Sequence, residues 1–264
     1  MMKVKMSKKS GNNKMFFELG GVDISYANTL RRLCMDEVPV MAVEEVEFRK
    51  NDSGLYDEII AHRLGLLPLK TDLKSYNLPS ECKCKGKGCA RCQLKMTLKA
   101  KGPGTVYASD IKSKDPKIKP VYPRTPIAKL DEGQKLELEA TAILGLGKEH
   151  TKWSPCLAYY KEMADIRIKK QPDNKNEIVE RCPESIFEIK DDKLVVNKKK
   201  AADCSLCDEC VEISNNNIEV KPKQEFLMTI ESWGQLEPKE IVRTAIKNYD
   251  KQLDEFNALL RKAK

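Results

Sequence analysis

The chain has 264 residues, 41% of them hydrophobic and 33% charged, enough to bury a real core without staples and to form one to three domains. Ten cysteines, eight in two tight groups, argue against a disulfide scaffold and for metal sites in a reducing cytosol; the basic start MMKVKMSKKS has no apolar run behind it, and no stretch is long enough to span a membrane, so a soluble, cytoplasmic protein is expected. The net charge of +8, 48 basic against 40 acidic residues, sits in lysine-rich loops near Lys83 to Lys95, Lys112 to Lys119 and Lys198 to Lys200, where no aromatics are interleaved to stack on bases, so these read as solvated loops and not as a nucleic-acid surface.

In chain order, DISYANTLRRLCMDEVPVMAVEEVEF predicts a helix and then a strand. Ser25 is the candidate N-cap, Ala27, Leu30, Cys34 and Val38 recur at helical spacing, and Pro39 stops the helix because the residue before proline avoids the helical region. Met41, Val43, Val46 and Phe48 then form an imperfectly alternating strand. Residues 49–165 read as strand-rich: Leu94, Met96, Leu98 and Ala100 alternate, as do Leu136, Leu138, Ala140 and Ala142, and 101–126, rich in proline, glycine and lysine, reads as exposed loop. CLAYYKEMADIRI at 156–168 reads as strand. Residues 166–222 change character, with a short helix, a Cys-Pro, a hairpin turning at Asp191-Asp192 and then a cysteine ladder. After a strand carrying Phe226, Met228 and Ile230, a long helix begins near Pro238. Along it Val242, Ile246, Tyr249, Leu253, Phe256 and Leu260 are spaced 4, 3, 4, 3 and 4, a heptad seam suited either to a partner helix or to the domain's own core.

Two cysteine groups carry the chemistry. Cys204, Cys207 and Cys210 stand at C-x2-C-x2-C, the spacing that wraps an iron–sulfur cluster, yet Ser214 occupies the place of the fourth cysteine. In two-cluster ferredoxins that fourth cysteine precedes proline and ligates the other cluster. Cys182-Pro183 supplies such a residue, whereas the remaining positions of its own pattern would be Ile178, Lys175 and Pro172, which cannot hold iron. One cluster is therefore expected on Cys182, Cys204, Cys207 and Cys210, as [4Fe–4S] or, with an iron lost, [3Fe–4S]; unligated thiols or a disulfide pair are the alternative. The second group, Cys82, Cys84, Cys89 and Cys92, is spaced C-x-C-x4-C-x2-C with Gly86 and Gly88 between, matching a closed tetrahedral zinc site that leaves no position for water. A redox disulfide or an empty loop is the alternative. Cys34 and Cys156 read as small buried apolar residues, His62 and His150 as structural. No phosphate loop, nucleophile elbow or paired-carboxylate site is visible, so no catalytic residue is assigned.

YANTLRRLCMDEVPVMAVEEVEF at 26–48 and LYDEIIAHRLGLLPL at 55–69, with LGLGKEHTKWSP at 144–155, closely resemble the D subunit of archaeal DNA-directed RNA polymerase. That family is the counterpart of the bacterial alpha subunit's N-terminal domain and of the third-largest subunit of eukaryotic polymerase II. The resemblance implies an α+β fold: a split alpha-subunit-like dimerisation domain (1–48 and 223–264), an inserted strand-rich domain (49–165) bearing the four-cysteine loop at 82–92, and an inserted ferredoxin-like iron–sulfur domain (166–222). It implies a non-catalytic assembly subunit that pairs with the smaller L subunit through the last helix, recruits the small N and P subunits, and forms the platform for the large catalytic subunits. Asn28, Leu30, Arg31 and Arg32 would lie on the helix near which a large subunit docks; surface salt bridging is the alternative for the arginines. The four-cysteine loop resembles the zinc loop of the eukaryotic relative, whose second and third cysteines are one residue closer. The competing reading is a ferredoxin-like electron carrier built on the single cluster, and direct DNA binding by the isolated chain is not expected.

Overall fold

A computed structural model describes residues 2–6, 11 and 13–263. The N-terminal part contains β1 (Lys3–Met6), β2 (Lys14–Gly20), α1 (Ile24–Asp36), β3 (Val40–Asn51) and α2 (Asp57–Gly65). Then come β4 (Gln93–Lys101), β5 (Gly104–Tyr107), β6 (Ile111–Ser113), β7 (Pro126–Leu130) and β8 (Lys135–Gly145). The remainder is β9 (Cys156–Ile168), α3 (Lys175–Arg181), β10 (Phe187–Lys190), β11 (Lys193–Val196), α4 (Glu209–Ile213), β12 (Ile218–Ser232) and α5 (Pro238–Lys262). The chain falls into two compact units, one holding Phe16–Thr29 and Tyr159–Thr229, the other Leu30–Ala158 and Ile230–Lys264.

The first unit is built on the sheet β1-β2-β12-β9. Phe17 and Leu19 alternate inward along β2, and Phe226 meets Tyr160 edge to face with ring centroids 5.6 Å apart. Between β9 and β12 the chain runs β9-α3-β10-β11-α4-β12, a β-α-β-β-α-β order. The β10–β11 hairpin turns at Asp191 and Asp192, with φ of 48° and 55°, the left-handed pair a two-residue turn demands. Its core gathers Ile178, Ile186, Phe187, Leu194 and Ile218 with Cys204 and Cys210.

The second unit packs α2 and the small β5–β7 ribbon with the antiparallel sheet β3-β8-β4-β6. The two alternating stretches of the sequence face each other in register: Leu94 opposes Ala142, Met96 opposes Ala140, Leu98 opposes Leu138 and Ala100 opposes Leu136. Between them, 101–126 is not uniform exposed loop. Val106, Ala108, Ile111 and Ile118 enter the core, because β5 and β6 are short strand pieces whose apolar residues lie scattered among prolines and lysines. The cap of α1 also differs from expectation. Asp23 Oδ1 accepts the Tyr26 N–H and the Ser25 hydroxyl, both at 2.8 Å, so Asp23 is the N-cap and Ser25 lies inside the first turn.

Gly145 ends β8 against the Trp153 ring, whose outer face carries the Lys152 ammonium 4.3 Å from its centroid. A Cβ at residue 145 would sit 2.3 Å from ring carbons, closer than any real contact. Gly145→Ala is expected to cost about 1–3 kcal/mol through this overpacking; a chemical denaturation midpoint unchanged from wild type would contradict it.

Candidate metal centres and partner helix

The loop before β4 brings four thiols together. Their sulfur atoms all lie within 4.8 Å of one another. Cys82 and Cys89 Sγ are 3.5 Å apart, Cys84 and Cys92 Sγ 3.4 Å, and Cys89 and Cys92 Sγ 3.8 Å. A tetrahedral zinc with bonds near 2.3 Å would set its sulfurs about 3.8 Å apart, whereas a disulfide needs about 2.05 Å, so the donor set fits one thiolate-bound ion. The backbone makes this reversal with Lys85, Gly86 and Gly88 at positive φ. At Gly88 a Cβ would in addition run into the Gln93 side chain at 2.4 Å. Hydrogen bonds from Cys82 and Cys92 hold the Cys84 thiol down to about 6, while burial pushes Cys92 up to about 12. The Cys89 N–H points at Cys92 Sγ, 3.2 Å away, a backbone donor to a sulfur that would carry charge once ligated.

In the first unit Cys182, Cys204, Cys207 and Cys210 line one small concavity, walled by Ile166, Ile186, Phe187 and Val220. Cys182 caps the end of α3, and Cys210 lies in the first turn of α4. Left-handed residues Leu206 and Asp208 bend the ladder between them. Arg181 bridges to Glu209 at 3.2 Å and ties the two helix ends together. Burial raises Cys204 and pushes Cys210 up to about 11, while Cys207 is exposed. Among the described residues only the 82–92 thiols close to single-ion spacing. A cluster of several irons holds its thiolates farther apart than one ion does, and an apolar wall with a separate fourth cysteine suits such a group. Sequence reasoning missed that wall, although Ile186 and Phe187 stand only two residues beyond the Cys-Pro, after Glu184 and Ser185.

The last helix carries two stripes. Ile241 and Ala245 are fully buried, Asn248 Nδ2 donates to the Glu37 carbonyl at 2.7 Å, and Gln252 reaches the Glu37 carboxylate at 3.1 Å; this stripe holds α5 to its own unit. Lys251 adds a bridge to Glu81 at 2.7 Å, just ahead of the first loop cysteine. The heptad seam is the other stripe. Val242 and Tyr249 are half-buried, while Ile246 is 41% exposed, Leu253 42%, Phe256 57% and Leu260 50%. The seam is thus not what anchors α5 at home.

On α1, Asn28 and Arg32 are exposed and Arg31 half-buried, but Leu30 is packed inward. Arg32 Nε lies 3.9 Å from the Asp36 carboxylate one turn on, a surface ion pair of small worth. Cys34 and Cys156 are buried, with the Cys156 thiol donating to the Cys34 carbonyl at 3.5 Å. His150 Nδ1 accepts from the Lys152 N–H at 3.0 Å, a structural role. No helix among the described residues is long and apolar enough to cross a membrane.

Residues 46–155 match the family described as the RNA polymerase Rpb3/RpoA insert domain. The chain is 40% identical over 247 residues to DNA-directed RNA polymerase subunit Rpo3 of Methanosphaera stadtmanae, covering 90% of this chain and 91% of that protein. Subunit Rpo3 of Methanothermobacter thermautotrophicus is 39% identical over 243 residues, with 90% and 91% covered. That of Pyrococcus horikoshii is 37% identical over 266 residues, and both chains are covered in full.

Proposed function

The chain belongs to the Rpo3 family of DNA-directed RNA polymerase subunits, and from that premise we propose that α5 is its pairing element and that metal centres brace the segments that carry them. It is an assembly subunit of a nucleotidyltransferase and carries no catalytic residue itself; electron transfer as a ferredoxin-like carrier is not favoured. The designation D given by the motif resemblance is corrected to Rpo3, the name the relatives carry.

The observation that carries the proposal is the seam Val242, Ile246, Tyr249, Leu253, Phe256 and Leu260, half-buried at Val242 and Tyr249 and exposed at the other four, an apolar stripe left over after a separate stripe has docked α5 on its own unit. Such a stripe suits a helix of a second subunit. The smaller L subunit is the proposed occupant, with the small N and P subunits and the large catalytic subunits joining the pair. Asn28, Arg31 and Arg32 remain the proposed large-subunit contact; Leu30, turned inward, is left out of that surface. The proposed division is dimerisation domain 1–48 and 223–264, strand-rich insertion 49–165 and ferredoxin-like insertion 166–222. The β-α-β-β-α-β order supports the last of these.

Zinc on Cys82, Cys84, Cys89 and Cys92 is proposed as a closed structural ion, supported by the sulfur spacing. A single iron–sulfur cluster is proposed on Cys182, Cys204, Cys207 and Cys210. When bound it would link the end of α3 to the start of α4 and supply cross-linking, with redox chemistry unused. A cytoplasmic location and the absence of direct DNA binding complete the proposal. Co-expression with an L-type subunit is expected to yield a tight one-to-one complex; a chain that stays solitary beside it at high concentration would refute the pairing role.

A further inference from the structure

The β-α-β-β-α-β segment has two ends. At one, Cys182 follows α3 and the other three cysteines lead into α4. The corresponding places at the other end are Ser214, which follows α4, and Pro172, Lys175 and Ile178, which lead into α3 at the same spacing counted back from Cys182. None of these four carries a thiol. At and beside these places stand polar side chains, Gln171, Asn174, Lys175 and Ser214, that bond to backbone.

Gln171 holds both backbone groups of Leu194, its Nε2 donating to the carbonyl at 3.2 Å and its Oε1 accepting the N–H at 2.7 Å. Asn174 Nδ2 donates to the carbonyl of Ile213, the last residue of α4. Lys175 Nζ donates to the Asp192 carbonyl at 2.6 Å. Ser214, 1% exposed, donates to the Val211 carbonyl at 3.1 Å and accepts the Ile218 N–H at 3.0 Å. Ile178, also 1% exposed, fills the interior beneath. Together these bonds join the approach to α3, the β10–β11 hairpin, the end of α4 and the start of β12. At the cysteine end, by contrast, the side-chain tie between the helices among the described residues is Arg181 with Glu209, an exposed pair that salt screens.

We infer that Gln171, Asn174, Lys175 and Ser214 form a metal-free clamp at the place of a second cluster, so that loss of the proposed cluster opens the module from its cysteine end alone. The inference rests on the cluster reading of Cys182, Cys204, Cys207 and Cys210, and the experiment separates the two. Gln171 itself is exposed and the Lys175 bond faces solvent, but Leu194, Ser214 and Ile218, whose backbone or hydroxyl these bonds satisfy, are buried, and such backbone opens rarely, whereas segments held by a removable link exchange as soon as the link goes.

Hydrogen exchange read by mass spectrometry on the full chain, purified without oxygen and then stripped of iron by a chelator, provides the test, with iron and sulfide measured in each sample. In the stripped wild type, protection at 183–187 and 203–211 should fall about tenfold or more, while that at 171–178, 193–195 and 213–218 should change less than about threefold. Gln171→Ala combined with Asn174→Ala should lose the second set of protections in the stripped protein, yet keep the cysteine end protected when loaded. Asn174→Ala alone serves if the double variant does not fold. Equal loss at both ends of stripped wild type, no loss at either, or clamp variants that exchange like wild type would each overturn the inference. Protein that never contains iron or sulfide would overturn the cluster reading, and the clamp would then be judged on wild type against variant alone.

Discussion

Introducing Leu253→Glu and Phe256→Glu together should abolish pairing with the small partner at micromolar concentration and leave the chain's own fold intact. Both side chains are about half exposed in the unpaired chain, at 42% and 57%, so little home packing is lost. In a helix pair they would be covered, and each is worth about 1.5–3 kcal/mol on full burial. A glutamate in that position forfeits the gain and meets an apolar surface with a charge. About half of that burial remains to be gained at each position, so at 1.4 kcal/mol per tenfold, and with the penalty of the two charges added, the changes should weaken association about a hundredfold or more. Exposed substitutions move stability by only about 0.5 kcal/mol, so the thermal midpoint of the isolated chain should hold. Sedimentation of the chain mixed with its partner reads the first effect, and calorimetry of the chain alone reads the second. Wild-type affinity in the double variant would remove the seam from the interface, and Lys247→Ala, exposed but off the seam, is the matching control.

Removing the ion from the four-cysteine loop, by chelation or by Cys89→Ser, should melt residues 79–92 while the sheet β3-β8-β4-β6 stays folded. Fixing a residue's backbone costs about 1–2 kcal/mol, so ordering residues 82–92 costs on the order of 10–20 kcal/mol. Structural zinc contributes about 10–16 kcal/mol in small zinc-binding peptides, a comparable sum. The loop has little else: Cys82 and Cys92 are buried, but Lys83, Lys85 and Lys87 face water or nearly so. The sheet, in contrast, has its own core of Met96, Leu98, Leu136 and Leu138. Elemental analysis should read one zinc per chain in wild type and none in Cys89→Ser, and limited proteolysis should cut the variant within 79–92. Full zinc in Cys89→Ser, or a loop equally resistant without metal, would exclude this role.

Local regularities made much of this architecture legible in the sequence. Strict alternation at 94–100 and 136–142 marked two strands that turn out to be neighbours, since a sheet face repeats every second residue. Cysteine spacing marked the four thiols at 82–92 that lie within 4.8 Å of one another, and the same reasoning singled out Cys182, Cys204, Cys207 and Cys210, which line one concavity. The seam of α5 was readable from its 3.5-residue repeat, but the choice between partner and home was not: it depends on Ile241, Ala245 and Asn248 meeting residues far away in sequence. Region 101–126 was misread because proline and lysine outnumber the four apolar side chains that reach the core. The short helix α2 went unrecognised, with only Ile60 and Leu64 buried along it. The Gln171 and Asn174 bonds, to partners 23 and 39 positions away, have no local signature at all.

From Lys251 to Lys262 every residue of α5 is exposed, and its last home contacts are those of Lys251 and Gln252. A helical tail of that length is marginal in water by itself, so pairing through the proposed seam would also steady the end of α5: amide exchange over 253–262 should slow in a complex with a small partner subunit and stay fast in the chain alone.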